Sequence, residues 1–98
     1  MDEREVLHKH VRDMWDELSS ARHYAKEAME SKDTNSREAA KDIEMANDEM
    51  RHFEMAKQKA MDYVQTNGNP MLIAIWDWEC EKVTDMETEV RVMLNMVR

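Results

Sequence analysis

The chain has 98 residues, a net charge of −8 at neutral pH, and one residue each of glycine, proline and cysteine. The acidic excess disfavours nucleic acid and anionic membranes as partners, and a lone cysteine excludes an internal disulfide framework and a zinc site of several thiolates. With so few helix breakers, the composition predicts an all-α protein with a single domain over residues 1–98.

Neither export nor membrane insertion is expected. The beginning of the chain is charged at positions 2–5, and the longest apolar run, residues 71–76, is far shorter than a membrane span. Because Cys80 has no partner within the chain and no export signal precedes it, we expect a reducing, cytoplasmic location.

The first predicted helix covers about residues 2–31. Its apolar residues alternate at spacings of four and three, which is typical of helices packed nearly parallel or antiparallel in a bundle. This seam consists of Leu7, Val11, Met14, Leu18, Ala21, Ala25 and Ala28. A second, partly polar stripe lies beside it, with His10, Glu17 and Tyr24 seven residues apart.

The second predicted helix covers about residues 36–66, after a turn-rich segment at 31–36. Asn35 and Glu38 have the spacing of a variant capping box at its start. The apolar seam is Ile43, Ala46, Met50, Phe53, Lys57, Ala60 and Val64, where Lys57 interrupts the pattern. The neighbouring stripe is Asp42, Met45, Glu49, His52 and Ala56.

The third predicted helix covers about residues 70–97, because Gly68 suits a helix C-cap and Pro70 suits a first helical position. Its seam is Leu72, Trp76, Glu79, Val83, Met86, Val90, Met93 and Val97. Short connections make sequential helices antiparallel, which predicts an up-down-up bundle. The third helix begins apolar nearly all round, so we expect further burial by dimerisation or a higher homo-oligomer.

Glu79 is a carboxylate within an apolar seam. Left buried and unpaired, it would cost on the order of 3 kcal/mol. The register places it level with Lys57 and His10, so a pair with one of these is the first expectation. A direct role as an auxiliary metal ligand, or a place at a wet interface, stays open.

The sequence Glu49-Met50-Arg51-His52 is a Glu-x-x-His motif and the main candidate for a metal-binding site in the chain. Spacing i, i+3 puts the carboxylate and the imidazole on one helix face. Counting from the first turn, position i of the first helix lies level with about 67 − i of the second, so Glu17 falls between Glu49 and His52. A second Glu-x-x-His, at Glu5 and His8, is interpreted as coincidence.

Carboxylates and imidazole together suit iron or manganese. We therefore predict Glu17, Glu49 and His52 as metal ligands, with Glu49 as the bridging candidate. Tyr24 is a candidate donor to a ligand carboxylate, and His10 is a possible auxiliary residue. One chain supplies half of a four-helix site, which a homodimer would complete. No other catalytic residue is predicted.

Two other interpretations stay open. In the first, the Glu and His residues are ordinary polar side chains. The protein is then a non-enzymatic helical interaction or scaffold module whose polar network fixes the register of the helices. In the second, His and carboxylate side chains bind a structural zinc ion, although such a site would lack the usual thiolate ligands.

Residues 17–25 (ELSSARHYA) and 46–52 (ANDEMRH) resemble the first two helices of the ferritin-like superfamily, closest to the rubrerythrin type and the half-length encapsulated ferritins. The resemblance implies that Glu17, Glu49 and His52 form half of a di-iron centre shared across a dimer, with Tyr24 as a nearby aromatic. It further implies ferroxidase-like oxidation of iron if the site is active.

The third helix opens on Trp76-Asp77-Trp78-Glu79, which resembles short ferritin-like proteins of Gram-positive bacteria and their phages. The likeness is good over about residues 10–65 and loose in the third helix. The chain lacks a second C-terminal Glu-x-x-His, a fourth helix and a rubredoxin-like cysteine cluster. A phage-encoded adaptor that has lost the metal site is the form that the interaction alternative would take.

Overall fold

A computed structural model describes residues 2–97 of the chain. Over these residues the protein consists of three α-helices: α1 at Glu3–Ser31, α2 at Ser36–Asn67 and α3 at Pro70–Val97. Every boundary lies within one residue of the predicted one. The all-α, three-helix fold is therefore confirmed.

The helix ends are capped by the residues that the sequence places there. Asp2 accepts a hydrogen bond from the backbone N–H of Glu5 at 2.9 Å and so begins α1. Asn35 accepts one from the N–H of Glu38 at 3.1 Å and begins α2. Gly68 ends α2 in the left-handed conformation, with φ of 59°, where a residue with a Cβ would be strained.

The α1 seam is the best-predicted part of the core. All seven of its residues are buried, and six are completely so. All of them except Ala28 pack with Phe53 and Met50 of α2 and with Leu72, Val83 and Val90 of α3 into one hydrophobic cluster. Burial of this apolar surface provides most of the favourable free energy of folding.

The α2 and α3 seams differ from their predictions at polar and terminal positions. Ile43 and Lys57 are only half-buried, while Asp42, assigned to the polar stripe, is 7% exposed. On α3 the buried residue nearest the end is Leu94, not Met93 or Val97. The apolar spacing thus predicts the direction of the buried face of each helix to within about 100° around its axis, the rotation from one residue to the next.

The hairpin of α1 and α2 is closely packed, and α3 lies along one side of it with fewer contacts. On the α1 side, Trp15 meets Glu79 and Arg22 meets Glu89. On the α2 side, Arg91 of α3 bonds to Glu54. The three helices form a rod of 50 × 20 × 15 Å. No helix within residues 2–97 is long and apolar enough to cross a membrane.

Candidate metal centre

The side chains of Glu17, Glu49 and His52 meet between α1 and α2. Each offers one ligand atom, and these three atoms lie within 4.8 Å of one another. The Nδ1 atom of His52 is 3.8 Å from Oε2 of Glu17 and 4.0 Å from Oε1 of Glu49. Within residues 2–97 no other group of three or more His, Cys or acidic residues comes together in this way.

Two local features of the sequence produce this cluster. Spacing i, i+3 on α2 brings Glu49 and His52 to one face. The antiparallel α1–α2 hairpin then sets the height of Glu17, which falls between them as the count from the first turn predicts. The tight seam beneath holds both helices in this register, because Leu18 and Met50, the neighbours of Glu17 and Glu49, are buried.

The cluster lies at the surface. The His52 side chain is 58% exposed, that of Glu17 35% and that of Glu49 23%. Glu17 and His52 line an open groove of about 330 Å³, whose other walls are His10, Asp13, Met55, Ala56 and Lys59. The donors are therefore accessible to an ion from solvent, and Glu49 is the most enclosed of them.

Glu49 affects the protonation of Glu17. A side-chain hydrogen bond with Glu49 raises the pKa of Glu17, and partial burial and the negative charge of Glu49 raise it further. The nearby Asp13 also raises this pKa, whereas His52 lowers it. The arrangement that favours a proton on Glu17 would equally favour a cation between the two carboxylates.

The spacing of the donors is suitable for one ion. Two ligand atoms that are each about 2.1 Å from a metal can be at most about 4.2 Å apart. The separations from His52 to Glu17 and to Glu49 fall below this limit, so side-chain rotations would be enough to bring the three donors to one ion. Hard oxygen donors with one imidazole suit iron, manganese or zinc, and the absence of thiolate among the three favours the first two.

The predicted auxiliary residues fall in different places. His10 lines the same groove as Glu17 and His52, and its ring packs against that of Tyr63 at a centroid distance of 5.5 Å. Tyr24 packs against the core and against the His23 ring. Within the described residues the Tyr24 hydroxyl makes no hydrogen bond to the cluster, so its predicted role as a donor stays a prediction.

Glu79 lies outside the cluster. Its carboxylate accepts a hydrogen bond from the Trp15 indole N–H at 3.3 Å, while Lys57 pairs with Glu87 at 3.5 Å and His10 stacks on Tyr63. The expectation that Glu79 finds a polar partner is confirmed, but the predicted partners are wrong. Counting residues from the turn gives the position of Glu79 along the bundle axis only to within about one helical turn. It also carries no information on which side of α3 faces α1.

Sequence reasoning missed Asp13. It lines the groove and acts on Glu17 through its charge. The signal was available, because Asp13 precedes Glu17 by four residues and therefore lies on the same face of α1. The other Glu-x-x-His pair, Glu5 and His8, is exposed and joins no third ligand within the described chain.

Comparison of the chain with protein-family models, with curated proteins and with solved structures gives no match. The function of the protein must therefore be inferred from its own side chains.

Proposed function

We propose that this protein binds iron, or manganese, through Glu17, Glu49 and His52, in a ferritin-like site shared by two copies of the chain. The observation that carries the proposal is the convergence of these three donors from two helices at one level. The same three residues are implied by the resemblance of residues 17–25 and 46–52 to ferritin-like proteins.

Each residue has a definite task in this proposal. Glu49 is the most enclosed donor and lies next to both others, so it is placed to bridge two ions. Glu17 and His52 are terminal ligands, and because the pKa of Glu17 is raised, a cation competes there with a proton. His10 and Asp13 line the approach to the cluster.

A second copy would complete the coordination. Iron and manganese ions take more than three ligands, and one chain supplies three on an open groove. Two such faces related by a two-fold axis would give four carboxylates and two imidazoles, and would exclude water from the site. The groove carries Lys59 as well as Asp13, so facing copies can pair opposite charges.

If the site is active, its substrate is iron itself, in ferroxidase-like chemistry. Two iron(II) ions each lose one electron, and hydrogen peroxide takes up both electrons with two protons to form two molecules of water. With dioxygen as the oxidant, four iron(II) ions are consumed for the same two molecules of water. A cytoplasmic location fits the reduced iron and the single Cys80 thiol.

Anaerobic titration of the metal-free protein with Fe(II), followed by oxygen, tests the proposal. We expect uptake of about one iron per chain and a ferric absorbance rise at 300–400 nm on oxygenation. Glu49→Gln and His52→Ala should abolish uptake while helicity is kept. The chain supplies its own matched control, because Glu5→Gln and His8→Ala remove the same side chains from an exposed Glu-x-x-His and should change nothing.

The oligomeric state gives a second test. If two copies share the site, metal should shift sedimentation from monomer towards dimer in the wild type but not in Glu49→Gln. Absence of metal uptake by a helical wild-type protein would refute the proposal and leave the helical interaction module as the better interpretation.

A further inference from the structure

The outer face of α3, which points away from the α1–α2 hairpin, carries large apolar side chains in solvent. Met71 is 53% exposed, Trp78 60%, Val92 51% and Met96 57%. The first three are separated by seven and fourteen residues, and Met96 lies one turn beyond Val92, so all four share one helical face. Met71, at its beginning, also borders Glu3 and Arg4 of α1. This outer face is about 37 Å long, from Met71 to Met96.

A row of acidic residues occupies the middle of this face. Asp77, Glu81 and Asp85 follow one another at spacings of four residues, and all three are exposed. Like charges four residues apart repel each other along a helix. The only cation close to them on α3 is Lys82, whose ammonium lies 3.3 Å above the centroid of the Trp78 ring.

The acidic residues of α3 divide by the side on which they lie. The three that face the hairpin all have partners there: Glu79 with Trp15, Glu87 with Lys57, and Glu89 with Arg22. The three on the outer face make no ion pair or hydrogen bond within residues 2–97. The carboxylates that the fold itself uses are therefore distinct from those of the acidic row.

Charge disfavours a second copy of the chain on this face. In antiparallel two-fold pairing of two α3 helices centred on Glu81 the acidic row would meet itself, and in parallel pairing Asp77, Glu81 and Asp85 would face their own equivalents. Like charges brought together on a desolvated face oppose association. A partner must therefore bring apolar side chains to the two ends and positive charge to the middle.

We propose that the outer face of α3 is a docking surface for an amphipathic helix of another protein, basic at its centre and apolar at both ends. The apolar anchors of such a helix pack on Met71 at one end, on Trp78 where the acidic row begins, and on Val92 and Met96 at the other end. Its central Lys or Arg residues pair with Asp77, Glu81 and Asp85, which sets the register. This surface is separate from the proposed metal centre, and docking on it does not require bound metal.

Two fluorescent peptides test the proposal on the full chain. Both are helix-forming, of about the 28 residues of α3, with Leu at apolar positions near each end; one has Lys at the central positions and the other has Glu. The Lys peptide should bind the wild type at least about tenfold more tightly than the Glu peptide, with affinity that falls as salt is raised. Trp78→Ala should weaken that binding.

The decisive variant is the triple reversal Asp77→Lys, Glu81→Lys and Asp85→Lys, which should exchange the preference so that the Glu peptide binds better. The matched control, Asp16→Lys, Glu30→Lys and Glu44→Lys, makes the same change of net charge on exposed positions of α1 and α2. It should keep the wild-type preference for the Lys peptide, within about threefold in affinity.

Three results would overturn the proposal. In the first, the Lys peptide does not bind, or binds no better than the Glu peptide. In the second, the control triple variant loses as much binding as the outer-face variant, which would mean attraction to net charge alone. In the third, wild-type chains self-associate in a manner that Trp78→Ala removes, which would assign the face to a second copy.

Discussion

Replacing Asp42 by Ala should stabilise the protein, although it removes a native charged group. Asp42 is 7% exposed in the contact between α1 and α2, and within the described residues its Oδ2 atom is buried without a hydrogen-bond partner. The residues level with it on α1 are Ala25 and Ala28, which offer no side-chain donor. The Oδ2 atom has therefore lost water without gaining a partner.

The size of the effect is the sum of three contributions. A buried polar atom without a partner costs about 1–3 kcal/mol, and alanine is a better helix former than aspartate by up to about 0.7 kcal/mol. Against this, a void of roughly 30 Å³ would cost about 0.7 kcal/mol at ~24 cal/mol per Å³. The net expectation is a gain of about 1–3 kcal/mol, or a rise in Tm of roughly 5–20 °C for a domain of this size.

Urea and thermal unfolding, followed by circular dichroism on metal-free protein, measure this gain. Asp62→Ala is the matched control, because Asp62 is exposed on the same helix and, within residues 2–97, bonds only to Gln58; its effect should stay within about 0.5 kcal/mol. Asp42→Asn should fall between wild type and Asp42→Ala, since the amide is neutral but still polar. A lower Tm for Asp42→Ala than for wild type would refute the reasoning.

Three further predictions concern the site, the thiol and the Glu79 contact. Because the pKa of Glu17 is raised in the folded state, the contribution of Glu17 to the folding stability of the metal-free protein should be fully present below its unfolded pKa and be lost as pH rises through its folded pKa. Mn(II) affinity should rise over the same range, and Glu17→Gln should flatten both profiles. Burial, the largest cause, raises the pKa of the Cys80 thiol, so iodoacetamide at pH 8 should alkylate the folded protein about tenfold more slowly than the urea-unfolded chain; equal rates would contradict this. Trp15→Phe removes the indole donor to Glu79 and should cost about 1 kcal/mol by urea unfolding, and less in a Glu79→Ala background, as a double-mutant cycle would show.

The sequence predicts the fold well because apolar spacing and helix signals agree. On α1 the seam runs from Leu7 to Ala28 without a polar interruption, and all of it is buried. The turn signals at Asn35 and at Gly68 with Pro70 coincide with the observed helix ends. The convergence of the cluster could be foreseen for a related reason, since one short turn sets the register of the whole α1–α2 hairpin.

The sequence predicts less well where a polar residue lies next to an apolar one at the edge of a seam. At Asp42 and Ile43 the pattern favoured burial of Ile43, but Asp42 is the buried one. The seams here are rich in alanine, with Ala21 and Ala25 on α1 and Ala46 on α2, all fully buried. We attribute the exchange to this close helix approach, which leaves room for a short side chain and displaces a branched one. Spacing alone carries no information about that distance.

The two proposed surfaces use opposite sides of the molecule. Trp15 and Glu17 differ by two residues, or about 200° around α1, and Trp15 contacts α3 while Glu17 joins the cluster. α3 therefore covers one side of the hairpin and leaves the metal-binding side open, and its own outer face points further away still. A second copy at the cluster and a basic helix on α3 would not compete for surface. Because the groups involved share no contacts, substitutions at the two surfaces should have additive effects.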